Sequence, residues 1–256
     1  MPEPPLAGRR IVVTRPREYA GELTGELEQL GATVLVMPLI QIEPMKDEDA
    51  RALDSVLVDV ASYDWIVFTS ANSVAAVQEH LAGKLAGVKI AAVGPATAAA
   101  VRTLGVEPAF VPERYAAAEI ADGLGSVEGT RVLLPQADIA EPWLRTQLVA
   151  RGASVDAVVA YRTVAVDPSA VEAAELERGV DALTLASGSG ARSLAALAAK
   201  FPRVAKALEQ TCIVAIGPKT AEAAREVGLT VGLVADEASA EGIVRALVSQ
   251  FGENAG

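Results

Sequence analysis

One cysteine, Cys212, and one histidine, His80, stand among 256 residues. A lone thiol closes no internal disulfide, and with no CxxC spacing around it Cys212 is expected to be a buried structural thiol in an apolar run. A single imidazole builds neither a histidine-based triad nor an ordinary zinc site, and His80, beside Gln78 and Glu79 on a helical stretch, reads as a solvated surface residue. Metal and redox chemistry are therefore not expected. Although 51% of the residues are hydrophobic, no apolar run approaches the roughly 20 residues of a membrane span. Met1-Pro2-Glu3-Pro4-Pro5 carries no basic, apolar signal pattern, so the expectation is a soluble, cytoplasmic protein. Positive charge is also short: 22 Lys and Arg against 33 Asp and Glu leave a formal charge of −11. With no basic cluster, nucleic acid and anionic membranes are disfavoured as partners, while an anionic small molecule is not.

What the chain does carry is one short stretch used twice. Val93-Gly94-Pro95-Ala96-Thr97 and Ile216-Gly217-Pro218-Lys219-Thr220 each close an apolar run and open an alanine-rich helical pattern. Glycine permits a sharp exit from a strand, and proline suits the first helical turn because its missing N–H would have no helical partner there. The other N–H groups of the turn point outward, at the positive end of the helix dipole, where a carboxylate or phosphate is favoured. Helix capping alone is the plainer reading of one copy; two copies at equivalent places strengthen the anion-binding one.

The rest of the chain repeats with them. Arg10–Thr14 reads as a strand, 18–30 as a helix with Leu23, Leu27 and Leu30 on one face and Gly31 as its stop, and Val34–Met37 as the next strand. Val132–Leu134, a helix opened by Pro142, the stop Gly152 and a strand over 155–160 repeat that unit. A longer unit follows each: a helix (46–60, 169–178), then a strand that exits at a serine (Trp65–Thr69 before Ser70, 182–186 before Ser187). Each continues with another helix, the G-P-x-T turn and its helix, and a last pair (Ala109–Val111 with a helix near 116–124, and 231–235 with a helix carrying Ile243 and Leu247). This short-long-short-long order, with about ten strands, describes a duplicated parallel α/β protein.

Both joins from a short to a long unit, 38–44 and 160–168, are extended and apolar, whereas 125–130 is a brief loop, and brief loops stay within a domain. The expected arrangement is discontinuous: 1–37 with 169–256 form one α/β domain, 45–159 an inserted second, and 38–44 and 160–168 link them. Tandem domains over 1–125 and 126–256 are the alternative.

Ligands of open parallel sheets bind outside the carboxyl ends of the strands. The sequence places Arg15, Ser70, Gly94 to Thr97, Pro135-Gln136, Ser187 to Gly190 and Gly217 to Thr220 there. These are hydroxyls, glycines and backbone donors, without a carboxylate pair or metal cluster, so the site offers positioning and electrostatics more than proton shuttling. Gly188-Ser189-Gly190-Ala191-Arg192-Ser193 comes near the dinucleotide fingerprint, but Ser193 replaces its third glycine and no ribose-binding acid ends the next strand. Tyr161, beside Arg162 and Thr163 on the second extended segment, reads either as an aromatic packed into a ladder or as a proton donor to a leaving hydroxyl.

Phe68-Thr69-Ser70 with Ser73-Val74, both G-P-x-T turns, Leu133-Leu134-Pro135 and Val159-Ala160-Tyr161-Arg162-Thr163 together resemble the uroporphyrinogen-III synthase family over essentially the whole chain. The resemblance implies an α/β protein of two flavodoxin-like parallel-sheet domains joined by a two-stranded β-ladder, with the substrate in the cleft. It further implies a cofactor-free lyase that closes the linear tetrapyrrole hydroxymethylbilane into uroporphyrinogen III with the last ring inverted. On this resemblance Tyr161 is the catalytic candidate, and Ser70, Ser187, Thr97 and Thr220 are carried over as substrate-binding. Arg15, Gly94, Gly217 and Lys219 join them from their places at strand ends. A monomer is expected, and the competing reading is a non-catalytic, two-lobed protein that binds a small anion or nucleotide.

Overall fold

A computed structural model describes residues 3–112 and 117–252, with Ala117 described by its backbone alone. Among these residues, short runs of Val, Ile, Leu and Ala form ten strands: β1 (Arg10–Val13), β2 (Thr33–Val36), β3 (Ile40–Pro44), β4 (Trp65–Phe68), β5 (Lys89–Ala92), β6 (Arg131–Ala137), β7 (Ser154–Ala165), β8 (Ala182–Leu185), β9 (Cys212–Ala215) and β10 (Val231–Val234). They build two five-stranded sheets, ordered β10-β9-β8-β1-β2 and β3-β7-β6-β4-β5. The chain divides into two units, Met1–Gln41 with Val164–Gly256, and Ile42–Thr163.

In the first unit every registered pair, β2 with β1, β1 with β8, β8 with β9 and β9 with β10, is parallel. In the second, β7 with β6, β6 with β4 and β4 with β5 are parallel too. Matching the repeats gives β1 the counterpart β6, β2 the counterpart β7, β8 the counterpart β4 and β9 the counterpart β5. Both units thus share the strand order 2-1-3-4; β10 completes the flavodoxin-like 2-1-3-4-5 in the first, whereas the second sheet ends at β5 and adds β3 beyond β7. Their chain order differs, because the first unit takes its short segment before its long one and the second takes its long segment first. Each is a circular permutation of the other.

Period-two alternation assigns each strand residue to one face. Ile11 and Val13 enter the core beneath the helices Arg17–Gln29 and Ala240–Phe251, and Val12 enters the core on the other face. In the second sheet Ile66 and Phe68 pack with Val74, Val77 and Leu81, while Trp65 and Val67 face Ile120 and Leu148. Because helices cover both faces, the strands are continuous apolar runs; β4 and β8 are buried at every residue. Gly31 and Gly152, the equivalent helix stops, both take positive φ, 92° and 88°, which a side chain would resist.

Several expectations change. Ala109–Val111 forms no strand: only an isolated bridge of Phe110 to Ala91 stands where the first unit has β10. The helix expected near 116–124 runs Ala117–Gly123, and residue 116 lies outside the described residues. The strand expected over 155–160 is one continuous strand to Ala165. The helix Pro202–Leu208 is an addition to the expected elements. Cys212, expected to be buried, is only half-buried, packed against the first unit's core, and that burial raises its pKa, which makes it a poor nucleophile. His80, expected to be a solvated surface residue, is half-buried, with Nε2 2.8 Å from Asp54 Oδ1 and Nδ1 buried without a hydrogen-bond partner among the described residues.

Candidate functional site

Five helices start just beyond the carboxyl ends of β4, β5, β8, β9 and β10, and their caps are of two kinds. Ser70, Ser187 and Ser239 cap three of them, each Oγ accepting the N–H three residues on: Ser73 at 3.1 Å, Gly190 at 3.1 Å and Gly242 at 3.0 Å. Glycine caps the other two, Gly94 before Pro95–Arg102 and Gly217 before Pro218–Glu226, with no side-chain cap. The first backbone bonds there are Ala98 N–H to Gly94 O at 2.9 Å and Ala221 N–H to Gly217 O at 3.0 Å. Since proline has no N–H, the donors left over are those of residues 96 and 97, and of 219 and 220. These are the two G-P-x-T turns.

The glycines do not serve the sharp exit expected of them. Gly94 and Gly217 have φ of −172° and −179°, extended backbone open to any residue. A Cβ on Gly217 would meet only Ala238 Cβ at 3.8 Å, an ordinary contact. What glycine provides is the absence of a capping hydroxyl, which leaves the turn's donors uncommitted. Thr97 and Thr220 are buried, and among the described residues neither hydroxyl has a hydrogen-bond partner.

Tyr161 reaches its place through an irregularity. Along β7, Val155 and Ala157 pack into one core and Val158 and Ala160 into the other, as alternation requires. Strict alternation would send Tyr161 back to the face of Val155. Instead the register against β6 steps from Gln136–Val159 to Ala137–Tyr161, leaving Ala160 as an extra residue. This bulge turns Tyr161 to the same face as Ala160, toward the helix Ala71–Leu81. Asp138 fixes the backbone beyond it, its N–H donating to Tyr161 O at 3.1 Å and its Oδ1 accepting Thr163 N–H at 2.9 Å. The phenol, 6% exposed, has its Oη 3.0 Å from Ser70 Oγ. Nothing in the spacing of residues 70 and 161 shows this contact, and Asp138 carries no sequence signal at all.

In the first unit Thr14 Oγ1 donates to Thr184 O at 2.6 Å, fastening the end of β1 to β8. Arg15 follows, half-buried, without an ion pair or hydrogen bond to any described residue. Burial lowers its pKa from the usual arginine value, opposed by Glu22, and arginine stays charged regardless. Lys219 is exposed and likewise unpaired among the described residues. Arg192, overlooked as a site residue, lies with Nη1 3.6 Å from where a Gly188 Cβ would be, and is also unpaired there. Three cations without an ion pair or hydrogen bond among the described residues thus belong to the carboxyl edge of one sheet in a chain of charge −11.

The glycines of the near-fingerprint at Gly188 have a packing role. Gly190 N–H is committed to Ser187, whose Oγ also lies 2.9 Å from Ser189 Oγ. A Cβ on Gly188 would meet Ala223 Cβ at 3.0 Å, so glycine allows the two neighbouring helices to approach. Among the described residues no group of His, Cys, Asp and Glu could hold a metal ion, and no helix is long and apolar enough to cross a membrane.

Solved structures of similar fold include the uroporphyrinogen III synthase of Thermus thermophilus, with TM-score 0.64 at 21% identity over 93% of this chain and 96% of that one. The uroporphyrinogen-III synthetase of Helicobacter pylori gives TM-score 0.64 at 20% identity over 94% and 99%. By sequence the chain is 30% identical to the porphyrin biosynthesis protein HemD of Ruminiclostridium josui over 98% of its own length, spanning 50% of that protein. It is 28% identical to the uroporphyrinogen-III synthase of Synechococcus elongatus over 96% of this chain and 97% of that one. Residues 21–245 match the family described as uroporphyrinogen-III synthase HemD, a span holding both glycine-capped turns, Ser70, Tyr161 and Ser187. By that match the chain belongs to the uroporphyrinogen-III synthase family.

Proposed function

We propose that this chain is a uroporphyrinogen-III synthase, closing hydroxymethylbilane into uroporphyrinogen III with inversion of the last pyrrole ring and loss of water. The observation that carries the reading is the family match over residues 21–245. The site's chemistry supports it. A substrate bearing many carboxylates suits the open donors of residues 96, 97, 219 and 220, the hydroxyls of Thr97 and Thr220, and the charges of Arg15, Lys219 and Arg192. The protein's net negative charge does not oppose this, because these groups act locally.

Tyr161 is the proton donor in this reading. Its O–H proton passes to the terminal hydroxyl of the substrate, the C–O bond breaks with its electron pair leaving on water, and the adjoining pyrrole, its N–H retained, becomes an electrophilic azafulvenium cation. The substituted carbon of the last ring attacks that centre, and the spiro intermediate opens and recloses inverted. Loss of a proton from carbon restores the aromatic ring and balances the proton that the phenol gave. Holding the carboxylate side chains decides which carbon attacks, so geometry is the main contribution. A cytoplasmic monomer is the form in which we expect the protein to work.

Purified protein, without added metal or nucleotide, is expected to convert hydroxymethylbilane to the inverted isomer. Formation of only the uninverted isomer at the spontaneous rate would refute the assignment and favour the non-catalytic binding protein. Tyr161→Phe should lower turnover by about 10–10⁴-fold, the upper range being that of general acid catalysis. An unchanged rate would leave Tyr161 a packing residue.

A further inference from the structure

We propose that Ser70 is a positioning residue for the Tyr161 phenol, holding its oxygen before and after the proton leaves, and not a ligand for substrate. The inference rests on the reading of Tyr161 as proton donor. A serine hydroxyl has one hydrogen and two lone pairs. Ser73 N–H takes one lone pair of Ser70 Oγ at 3.1 Å, and Ser73 Oγ donates to Ser70 O at 2.7 Å, so the serine is held at its backbone and its side chain. What remains on Oγ is its hydrogen and one lone pair, directed at Tyr161 Oη 3.0 Å away. When the serine O–H donates to the phenol oxygen, the phenol's own hydrogen is left to be given elsewhere. As that proton departs, the serine bond becomes charge-assisted and strengthens, so it favours the transition state over the ground state.

The repeat shows that this pairing is not a by-product of helix capping. Ser187 caps its helix with the same geometry, Gly190 N–H to Oγ at 3.1 Å. The registered pair Arg10–Thr33 of the first unit corresponds to Arg131–Ser154 of the second, an offset of 121 residues, and with Ala160 counted as the extra residue Tyr161 corresponds to Leu39, an aliphatic residue followed by another, Ile40. Ser187 therefore has no phenol at the equivalent position and turns to Ser189 Oγ at 2.9 Å. The second unit adds two features to the shared cap: a tyrosine, and the extra residue Ala160 in β7 that turns it to the serine's side.

The test is a double-mutant cycle read together with a spectroscopic probe. Ser70→Ala should lower kcat about tenfold with KM nearly unchanged, and Ser70→Thr, which keeps the hydroxyl, should restore it. Added to Tyr161→Phe, Ser70→Ala should cost nothing further. In ligand-free protein labelled with ζ-13C tyrosine, Ser70→Ala should shift the Tyr161 resonance, identified by its loss in Tyr161→Phe. Ser169→Ala, which removes a serine cap elsewhere, should lower Tm without moving that resonance or kcat. Additive losses from Ser70→Ala and Tyr161→Phe, or an unmoved resonance, would overturn the positioning role while leaving Tyr161 as acid. Full turnover by Tyr161→Phe would overturn the acid reading and the positioning role with it, whatever the resonance does.

Discussion

Surroundings set what each phenol of this chain can do, and Tyr63 is the counterexample to Tyr161. Tyr63 is 5% exposed at the amino-terminal edge of the second sheet, its Oη donating to Asp156 Oδ2 at 2.6 Å. The Arg131 guanidinium stacks 4.5 Å from its ring and reaches Asp156 at 3.3 Å. Burial first, then the bond to Asp156 and its negative charge, push the Tyr63 pKa from 10.0 up to about 12. A phenol committed to a carboxylate in this way gives up no proton near neutrality. Its contribution is structural and has a defined pH window: a folded pKa above the unfolded one means the stabilisation is whole below pH 10.0 and is lost as pH rises toward about 12. Tyr63→Phe should therefore cost about 1 kcal/mol at pH 8. It should also flatten the fall of stability above pH 10.0 that this shift predicts for the unaltered protein. Equal alkaline slopes in chemical denaturation of the two proteins would remove Tyr63 from the account.

At the scale of elements, the decisive contrast is between serine and glycine caps on otherwise similar helices. The cap residues share nearly the same backbone, with φ and ψ of −159° and 157° at Ser187 and −179° and 175° at Gly217. Gly217→Ser should accordingly fit, close a bond from Oγ to the Thr220 N–H, and raise helix stability by a few tenths of a kcal/mol. If that N–H holds a substrate carboxylate, the same change should lower kcat/KM roughly tenfold or more. Thr220→Ala should also lower kcat/KM, by about 10–150-fold, through loss of one charged hydrogen bond. Opposite signs in Tm and kcat/KM for Gly217→Ser identify a binding turn; a stabler protein with normal kinetics would return the turn to capping alone. The turns and most strands were legible because their information is local: apolar runs, proline at the first helical turn, glycine stops at Gly31 and Gly152. The Tyr161–Ser70 contact was not, because it depends on one extra residue at Ala160 that reverses the alternation by which strand sequences are read. Ala109–Val111 misled for a related reason. Apolar residues suit a strand, yet only Phe110 finds a bridge to Ala91, while its ring packs where a Gly123 Cβ would stand, 1.9 Å from Cζ.

The duplication makes its strongest claim about the whole molecule. Each of the four apolar cores draws its residues from a single unit: two from Met1–Gln41 with Val164–Gly256, two from Ile42–Thr163. Hydrophobic burial is the dominant favourable term in folding, so a unit that owns both cores of its sheet holds most of what it needs to fold by itself. The second unit is continuous and of about 120 residues, within the range where single domains are stable. The first is interrupted, but its two pieces come together where the interruption begins and ends. Val166 N–H donates to Leu39 O at 3.0 Å, which brings residues near 41 and 164 close enough for a short turn to connect them. Two proteins follow: residues 42–163 alone, and 1–41 joined to 164–252 by a few Gly and Ser residues. Each should unfold in one cooperative thermal transition and show dispersed amide resonances, with the joined protein gaining from its short closing loop relative to the two pieces mixed unlinked. Unlinked 1–41 and 164–252 should associate only weakly, since the β1–β2 pair must dock on the edge of β8 without a covalent closure to hold it there. A broad, non-cooperative melt for residues 42–163 would show that its two cores are insufficient, and that the repeat describes ancestry of sequence without independence of folding.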